Sequence, residues 1–322
     1  MKKLMKLAVA ATMALSVTAI SAAAVAAEEA DWPKKPITIV VGYTAGGDYD
    51  VNARAYAEEL KDKLGVDVVV SNVAGSGGAV AAEQVKDSAP DGYTVFFHQP
   101  SLLISKLQGI VDFGIDAFDM SCMAINIPGD LLCVNKSMGV STFEDFVQYC
   151  KDHPGEVNVA ASAGTMNYIQ CLQMQALGLE INIVDGGNAA ERVANLLGGH
   201  VDVILNSYGT VKDYLTTGDF VALATLAHER AEAYSDIPTA IELGYDVYFD
   251  KYGYFCFPKG TDAAIIDKFT AAVKEVSESE SYKTTIWDSF GMTPYFAPAD
   301  EALQILSDLD TMLQDYAEQL AQ

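Results

Sequence analysis

The chain alternates short apolar runs, stretches in which apolar residues recur at helical spacing, and loops of small and polar residues. Residues 37–41 (ITIVV) are β-branched and nearly free of polar groups, which is typical of a buried strand. From Asp50 to Gly65 the apolar residues follow a helical period, and residues 66–70 and 94–97 predict two further strands. Strands that alternate with helices indicate a parallel sheet covered by helices on both faces.

The loop after the first predicted strand is the strongest candidate for ligand binding. Its sequence Ala45-Gly46-Gly47 lets a ligand approach the backbone, because glycine has no side chain and tolerates positive φ. The first N–H groups of the following helix have no partner within the helix and attract anions. We expect the amides of Ala45, Gly46 and Gly47 to bind a carboxylate, with Tyr43 as a wall. Asp50 is a further ligand candidate, for which a helix cap is the competing interpretation.

The second half of the chain repeats the pattern of strand, polar loop and helix. Strands are predicted at 157–161, 181–184 and 201–205, and each ends in a loop with polar side chains. Two α/β lobes that face each other across such loops form a cleft, the usual place for a small ligand. The ligand-binding candidates from the second lobe are Ser162, Thr165, Asn167, Asp185, Gly187, Asn188 and Asn206. Those from the other loops of the first lobe are Ser76, Gln99 and Ser101.

The first 27 residues predict an export signal rather than part of the fold. Lysines at positions 2, 3 and 6 precede a mostly apolar stretch, and the small residues at 25–27 offer a cleavage site. The apolar stretch is short for a membrane span, and a retained N-terminal anchor is the competing interpretation. We expect a mature periplasmic chain that begins at Glu28.

The chain is strongly acidic, with a formal net charge of −24 at pH 7. Nucleic acids and anionic lipid surfaces attract proteins through basic patches, so this charge argues against either partner. A small anion remains compatible with it, because backbone amides supply a local positive potential. Hydrophobic residues make up 50% of the chain, which is sufficient for the cores of two domains.

The cysteines and histidines indicate neither a metal site nor a catalytic centre. The five cysteines have no CxxC spacing, and most are predicted to be buried free thiols, with one or two disulfides left open. The four histidines are scattered singly, so we expect no metal and no other cofactor. The candidate loops contain serine and threonine without a convincing base nearby, which favours a binding protein over an enzyme.

Several short motifs occur together in the order and spacing of one known family. They are WPKKPI at 32–37, AGGDYD at 45–50, SNVAGSGG at 71–78, PDGYT at 90–94, LLGGHVD at 196–202, DIPT at 236–239 and ELGY at 242–245. They extend over almost the whole mature chain, which resembles the substrate-binding protein of a tripartite tricarboxylate transporter, the Bug or TctC-like family.

The resemblance implies a two-lobed α/β periplasmic-binding-protein fold of type II, in which each lobe is a mixed, mostly parallel sheet flanked by helices. Residues 28–127 and 252–322 form the first lobe in this scheme and residues 128–251 the second. The chain crosses between them near 125–129 and 250–253. The resemblance also implies that the lobes close like a Venus flytrap on a small organic acid, which a membrane permease receives. We expect the receptor to be a monomer.

Two positions depart from the pattern of the family. Asp185 stands in a segment where many members carry a cation, and Gln170 stands where many carry a histidine. A carboxylate in place of a cation at position 185 favours a monocarboxylate, or a ligand whose amine pairs with Asp185, over a multiply charged anion such as citrate. The alternative functions are a ligand sensor for a membrane kinase and an enzyme that uses the same cleft.

Overall fold

The computed structural model describes residues 31–127 and 129–320, so the predicted signal peptide at 1–27 lies outside the described residues. The strands are β1 (Ile37–Val41), β2 (Val68–Asn72), β3 (Thr94–His98), β4 (Phe118–Ile127), β5 (Asp130–Asn135), β6 (Val157–Ala160), β7 (Ile181–Val184), β8 (Val203–Asn206), β9 (Phe220–Leu226), β10 (Lys251–Pro258) and β11 (Ala297–Pro298). The helices are α1 (Asp48–Leu64), α2 (Ala79–Lys86), α3 (Ser101–Leu107), α4 (Phe143–Asp152), α5 (Met166–Ala176), α6 (Ala189–Leu197), α7 (Tyr208–Thr217), α8 (Ala263–Ser277), α9 (Glu280–Phe290), α10 (Ala299–Gln314) and α11 (Ala317–Leu320). Among these described helices, none is both long enough and apolar enough to span a membrane.

The first lobe is built on a six-stranded sheet with the strand order β11-β4-β10-β3-β1-β2. Strands β1, β2 and β3 are parallel, whereas β10 runs antiparallel to β3 and β4. One face of the sheet packs against α1, α8 and α9, and the other packs against α2, α3 and α10. The α1 face that the helical spacing predicts is buried in the first of these cores: Ala53, Ala57, Leu60 and Leu64.

The second lobe is built on a five-stranded sheet with the strand order β7-β6-β8-β5-β9. Strands β6, β7 and β8 are parallel, whereas β5 runs antiparallel to β8 and β9. Helices α4 and α5 cover one face, and α6 and α7 cover the other. The two-lobed α/β fold is confirmed, with two mixed sheets between helices. The expectation that each sheet is mostly parallel is wrong. In the first sheet β10 pairs antiparallel with β3 and β4, and β11 with β4; in the second sheet β5 pairs antiparallel with β8 and β9.

The chain changes sheets twice, and charged residues follow both crossings. It leaves the first sheet after Ile127 and enters the second at Asp130, and it leaves the second after Leu226 and returns at Lys251. Strand β10 begins at Lys251, ahead of the apolar residues 254–257 that form its centre. As a result, Asp130 and Lys251 lie side by side at the junction between the lobes.

All five cysteines lie within the described residues, where they are buried and free. The prediction of buried thiols is confirmed, and the disulfides that the sequence left open are not formed. Burial raises the pKa of Cys122 and of Cys150 to about 12, so these thiols are not ionised at neutral pH.

Candidate ligand-binding site

A buried carboxylate of the chain itself holds the loop between β1 and α1 in place. Three groups donate to Asp50: the Gly46 amide (2.8 Å), Arg54 Nε (3.0 Å) and Asn72 Nδ2 (2.9 Å). Burial by itself raises the pKa of Asp50, but these bonds outweigh it and hold the pKa below its usual value. Asp50 is an ionised anchor of the loop rather than the helix cap, because Gly47 occupies the N-cap position of α1. Arg54 also forms an ion pair with Asp50, in which Nη2 lies 3.0 Å from Oδ1.

The three amides predicted to bind a carboxylate differ in their availability. The Gly46 amide is occupied by Asp50, so its prediction is corrected: this N–H stabilises the loop and is not free for a ligand. Its φ of +88° is a conformation that glycine adopts without strain. The amides of Ala45 and Gly47 donate to no other residue in the described part of the chain. Two of the three predicted donors therefore remain available.

Tyr43 and Ser101 support the second glycine-rich loop. The Tyr43 hydroxyl lies 3.0 Å from the Gly77 carbonyl oxygen and 2.6 Å from Ser101 Oγ, which itself donates to that carbonyl at 2.8 Å. Gly77 in turn touches the other lobe, since a Cβ atom on it would lie 2.6 Å from the carbonyl oxygen of Gly164. Ser76 is exposed beside this contact, with a φ of 46°. The two hydroxyls thus position a backbone segment at the lobe boundary.

Two buried glutamines have polar atoms without a hydrogen bond to any described residue. They are Gln99, through Oε1, and Gln170, through both Oε1 and Nε2. Buried polar atoms in this condition cost free energy unless water or a ligand satisfies them. Gln99 follows β3 as the sequence predicts, and Gln170 lies in α5, which lines the second lobe.

The loops after β6 and β7 are joined by side-chain hydrogen bonds. Asp185 Oδ1 accepts from Ser162 Oγ (2.5 Å) and from the Gly187 amide (3.1 Å). The bond from Ser162 is the main reason that the pKa of Asp185 lies below its usual value. The Thr165 hydroxyl donates to the Ser162 carbonyl oxygen at 2.5 Å. These four predicted residues are therefore brought together, while Asp185 Oδ2 accepts from no described residue.

The three asparagine candidates have distinct structural partners. Asn188 forms a capping box at the N-terminus of α6, which accounts for its side chain without a ligand. Asn167 Nδ2 donates to Asp130 Oδ2 at 2.7 Å, and Asn206 Oδ1 accepts from Arg192 Nε at 2.7 Å. Asn167 and Asn206 therefore position charged groups between the lobes.

A buried cluster of charges joins the two lobes, although no local sequence pattern predicts it. Lys251 Nζ donates to Asp48 Oδ2 (2.9 Å), to Asp130 Oδ1 (3.0 Å) and to Ser207 Oγ (2.7 Å). Ser207 Oγ in turn donates to Asp48 Oδ2 at 2.5 Å. An ammonium group has three donors, so Lys251 is fully satisfied. Because Asp48 belongs to the first lobe and Ser207 to the second, the strand-end loops of both lobes meet here.

Lys251 and Asp48 both remain charged at neutral pH. Burial by itself lowers the pKa of Lys251, but the charges of Asp130 and Asp48 raise it above its usual value. Burial likewise raises the pKa of Asp48, but the charge of Lys251 and the bond from Ser207 hold it below its usual value. No group of three His, Cys, Asp or Glu side chains in the described chain is arranged to hold a metal ion.

Helices α7 and α9 form a second contact between the lobes. A Cβ atom on Gly209 of α7 would lie 2.0 Å from a ring carbon of Phe290, so the helix backbone packs directly on that ring. Lys212 Nζ donates to the carbonyl oxygens of Asp288 (2.9 Å) and Ser289 (3.1 Å), where a cation complements the C-terminus of α9. The lobes therefore touch at the Lys251 cluster and also between α7 and α9.

A cavity of about 720 Å³ lies apart from the candidate loops. Asn126, Asp250 and Tyr252 contribute to its walls, together with residues from 228–232 and 291–295. The residues that the sequence predicts as ligand contacts are not among those that line it, so the cavity does not mark the candidate site.

His98 is a buried, neutral component of the first lobe. Its ring stacks on Phe96 and Tyr43, with centroid separations of 4.4 and 5.5 Å. Neither ring nitrogen has a hydrogen-bond partner among the described residues. Burial lowers the pKa of His98 to about 3, so the ring carries no charge in the folded protein near neutral pH.

Acidification is expected to destabilise the protein through His98. Because the pKa of this residue is about 3 when folded and about 6.5 when unfolded, the unfolded chain binds the extra proton between these values. The free energy of unfolding should therefore fall by about 2 kcal/mol between pH 7.5 and pH 5 from this group alone. Urea denaturation of the wild type and of His98→Leu over this range measures the difference. Identical pH slopes for the two proteins would contradict the prediction.

A ligand site at the meeting edges of two α/β lobes is the arrangement found in solute-binding proteins. Solved structures share this architecture with the chain. The Rhodopseudomonas palustris protein Rpa4515 with adipate has a TM-score of 0.82 and 24% identity, covering 90% of this chain and 98% of that one. MatC (Rpa3494) from the same species with bound malate has a TM-score of 0.74 and 24% identity, covering 90% and 99%.

The sequence comparisons define the family. The model of the tripartite tricarboxylate transporter family receptor, TctC, matches residues 52–315, and the chain belongs to this family. Protein BugT of Bordetella pertussis is 30% identical over 291 residues, which cover 86% of each chain. The UPF0065 protein in the gbd 5′ region of Cupriavidus necator is 29% identical over 305 residues, which cover 93% of this chain and 90% of that one.

Proposed function

We propose that this protein is an extracytoplasmic receptor that binds a small organic acid between its lobes and delivers it to the membrane permease of a tripartite tricarboxylate transporter. The observation that carries the proposal is the hydrogen bond between Asp48 and Ser207, which brings the strand-end loops of both lobes together. Polar loops that meet in this way enclose a small ligand on two sides.

The chemistry of these loops favours a carboxylate. The amides of Ala45 and Gly47 have no acceptor among the described residues and lie at the N-terminus of α1, where the partial positive charge of a helix is concentrated. A hydrogen bond to a charged group contributes about 1.5–3 kcal/mol. Several such bonds suffice for micromolar affinity, which corresponds to about 8 kcal/mol. The ligand-bound relatives with adipate and malate support the same chemical class.

The proposed receptor is a monomer that is exported by the signal at 1–27 and acts in the periplasm. Residues 28–127 and 252–322 form its first lobe and residues 128–251 its second, a division supported by the change of sheet at each crossing. Binding between the lobes stabilises the closed arrangement, which the permease then recognises.

Small organic acids are expected to raise the melting temperature of the purified mature protein. A ligand at one hundred times its Kd adds about 2.7 kcal/mol of stability when it binds only the folded state. A thermal-shift screen of mono-, di- and tricarboxylates and amino acids, with mass spectrometry of co-purified molecules, measures this effect. Neutral amides of the same acids serve as controls.

Three outcomes would contradict the proposal. The first is that no acid stabilises the protein. The second is that a bound acid is converted to product on prolonged incubation, which indicates an enzyme. The third is that the loaded protein activates a membrane kinase and does not support uptake through a permease in reconstituted vesicles, which indicates a sensor.

A further inference from the structure

We propose that Arg192 binds the carboxylate of the ligand and that the ligand carries no second negative charge. This inference rests on the proposed function and deepens it, since it names the residue and the charge class. Arg192 is not among the residues that the sequence predicts for the site. It lies in α6, on the same strand-end edge as Asp185 and Asn206.

The guanidinium of Arg192 is held in a fixed orientation by neutral acceptors. Its Nε donates to Asn206 Oδ1 at 2.7 Å, and its Nη1 donates to the Gly187 carbonyl oxygen at 2.9 Å. Asn206 is itself fixed, because its Nδ2 donates to the Ala189 carbonyl oxygen (3.0 Å) and to Thr210 Oγ1 (3.1 Å). The fork of the guanidinium is therefore positioned before any ligand binds.

The same guanidinium lacks a charged partner. It forms no ion pair within 4.0 Å in the described chain, and its Nη2 donates to none of the described residues. The pKa of Arg192 is lowered, mainly by burial. The guanidinium nevertheless stays charged, as arginine side chains do in proteins. A partly buried, fixed cation with a free donor matches the planar, two-oxygen geometry of a carboxylate.

The position of this cation depends on a glycine. A Cβ atom on Gly186 would lie 2.8 Å from Arg192 Cγ and 2.5 Å from Ala160 Cβ. A side chain at position 186 would therefore displace the stem of the arginine from the loop. The local sequence Asp185-Gly186-Gly187 thus leaves room for the Arg192 side chain to lie against the loop after β7.

The surrounding charges limit the ligand to one carboxylate. The cation at the junction of the lobes, Lys251, has all three donors occupied and offers none to a ligand. The carboxylates that act on the charge of Arg192 are Asp130, Asp48 and Asp185. Asp185 has a free Oδ2 that would repel a second carboxylate and would accept a hydrogen bond from an ammonium or hydroxyl group. In this proposal one carboxylate accepts both from Arg192 and from the free amides of Ala45 and Gly47, so the site suits a monocarboxylate or a zwitterion.

Binding of length-matched acids to the purified mature protein tests the inference. Isothermal titration with straight-chain monocarboxylates of two to eight carbons, benzoate, the corresponding α,ω-diacids and the neutral amides measures the charge preference of the wild type. We expect the best monocarboxylate to bind at least tenfold more tightly than its diacid and its amide. This comparison does not depend on the folding of any variant.

Substitution of Arg192 then identifies the residue responsible. In Arg192→Gln, loss of one charge-assisted hydrogen bond should weaken the best monocarboxylate by about 10-fold to 100-fold. Binding of the neutral amide should hardly change, so the preference for acid over amide should disappear. Arg192→Lys, which keeps the positive charge, should retain part of the preference for acid over amide. The matched control is Arg230→Gln, because Arg230 pairs with Glu242 at the surface and should leave binding unchanged.

The inference and the proposed function fail in different ways. A wild type that prefers diacids, or an Arg192→Gln protein that keeps the wild-type preference for acid over amide, overturns the inference and leaves the receptor function in place. A wild type that binds none of the acids contradicts the receptor function, and the inference falls with it.

Discussion

Replacing Lys251 by methionine is expected to lower the free energy of unfolding by about 3–5 kcal/mol. The substitution keeps most of the side-chain volume but leaves the buried carboxylates of Asp48 and Asp130 without their shared cation. Like charges that are out of contact with water repel each other strongly. Urea denaturation at pH 7 measures the loss.

The matched control for this prediction is Lys259→Met. Lys259 is exposed and pairs with Asp119 at 2.8 Å, so its loss should cost less than about 1 kcal/mol. Asp48 has a lowered pKa, so its stabilising effect is present above its unfolded pKa of about 3.9 and is lost as the pH falls through its folded pKa. The penalty of Lys251→Met should therefore shrink below about pH 4. Equal losses for the two lysine variants at pH 7 would refute the role of the cluster.

Introducing leucine at Gly209 is expected to prevent the lobes from closing. The first added carbon already lies 2.0 Å from the ring of Phe290, so the ring or the two helices must move to accommodate it. Overpacking of this kind costs about 3 kcal/mol, and the apparent affinity falls with the fraction of closed molecules, by about 100-fold. Small-angle X-ray scattering should give a larger radius of gyration than for the wild type.

Two further variants separate closure from folding. Thr216→Leu places the same side chain on an exposed position of α7 and should behave as the wild type. The double variant Gly209→Leu with Phe290→Ala removes the ring that the leucine would strike and should restore part of the closed population. An unchanged radius of gyration in Gly209→Leu would show that the α7–α9 contact does not control closure.

The strand–loop–helix units are predictable because their signals are local. The apolar run that becomes β1 and the face of α1 that packs on it are set by spacing within about 30 residues of sequence. Helix α9 is a partial exception. It buries Tyr282, Ile286 and Phe290 at a spacing of four and is capped by Ser279, but the polar residues between them obscure the period.

The charged part of the site is not predictable in the same way. Asp48 and Lys251 are separated by 203 positions, and Asp130 and Lys251 by 121, so no local pattern relates them. The sequence predicts that the amide of Gly46, in the loop after β1, binds an anion. It does not predict that this anion is the carboxylate of Asp50, four residues later. The sequence around Arg192 is that of an exposed helix residue. Its fixed orientation depends on a hydrogen bond to Asn206, which lies 14 positions later.

The five buried thiols are natural reporters of how the molecule opens. Cys122 and Cys256 lie in the first sheet, whereas Cys133, Cys150 and Cys171 lie in strand and helices of the second lobe. A thiol that is buried and un-ionised reacts with a water-soluble alkylating agent only when its surroundings transiently unfold. The rate at which each sulfur is modified therefore measures the local opening of its own lobe, without any label having to be engineered into the chain.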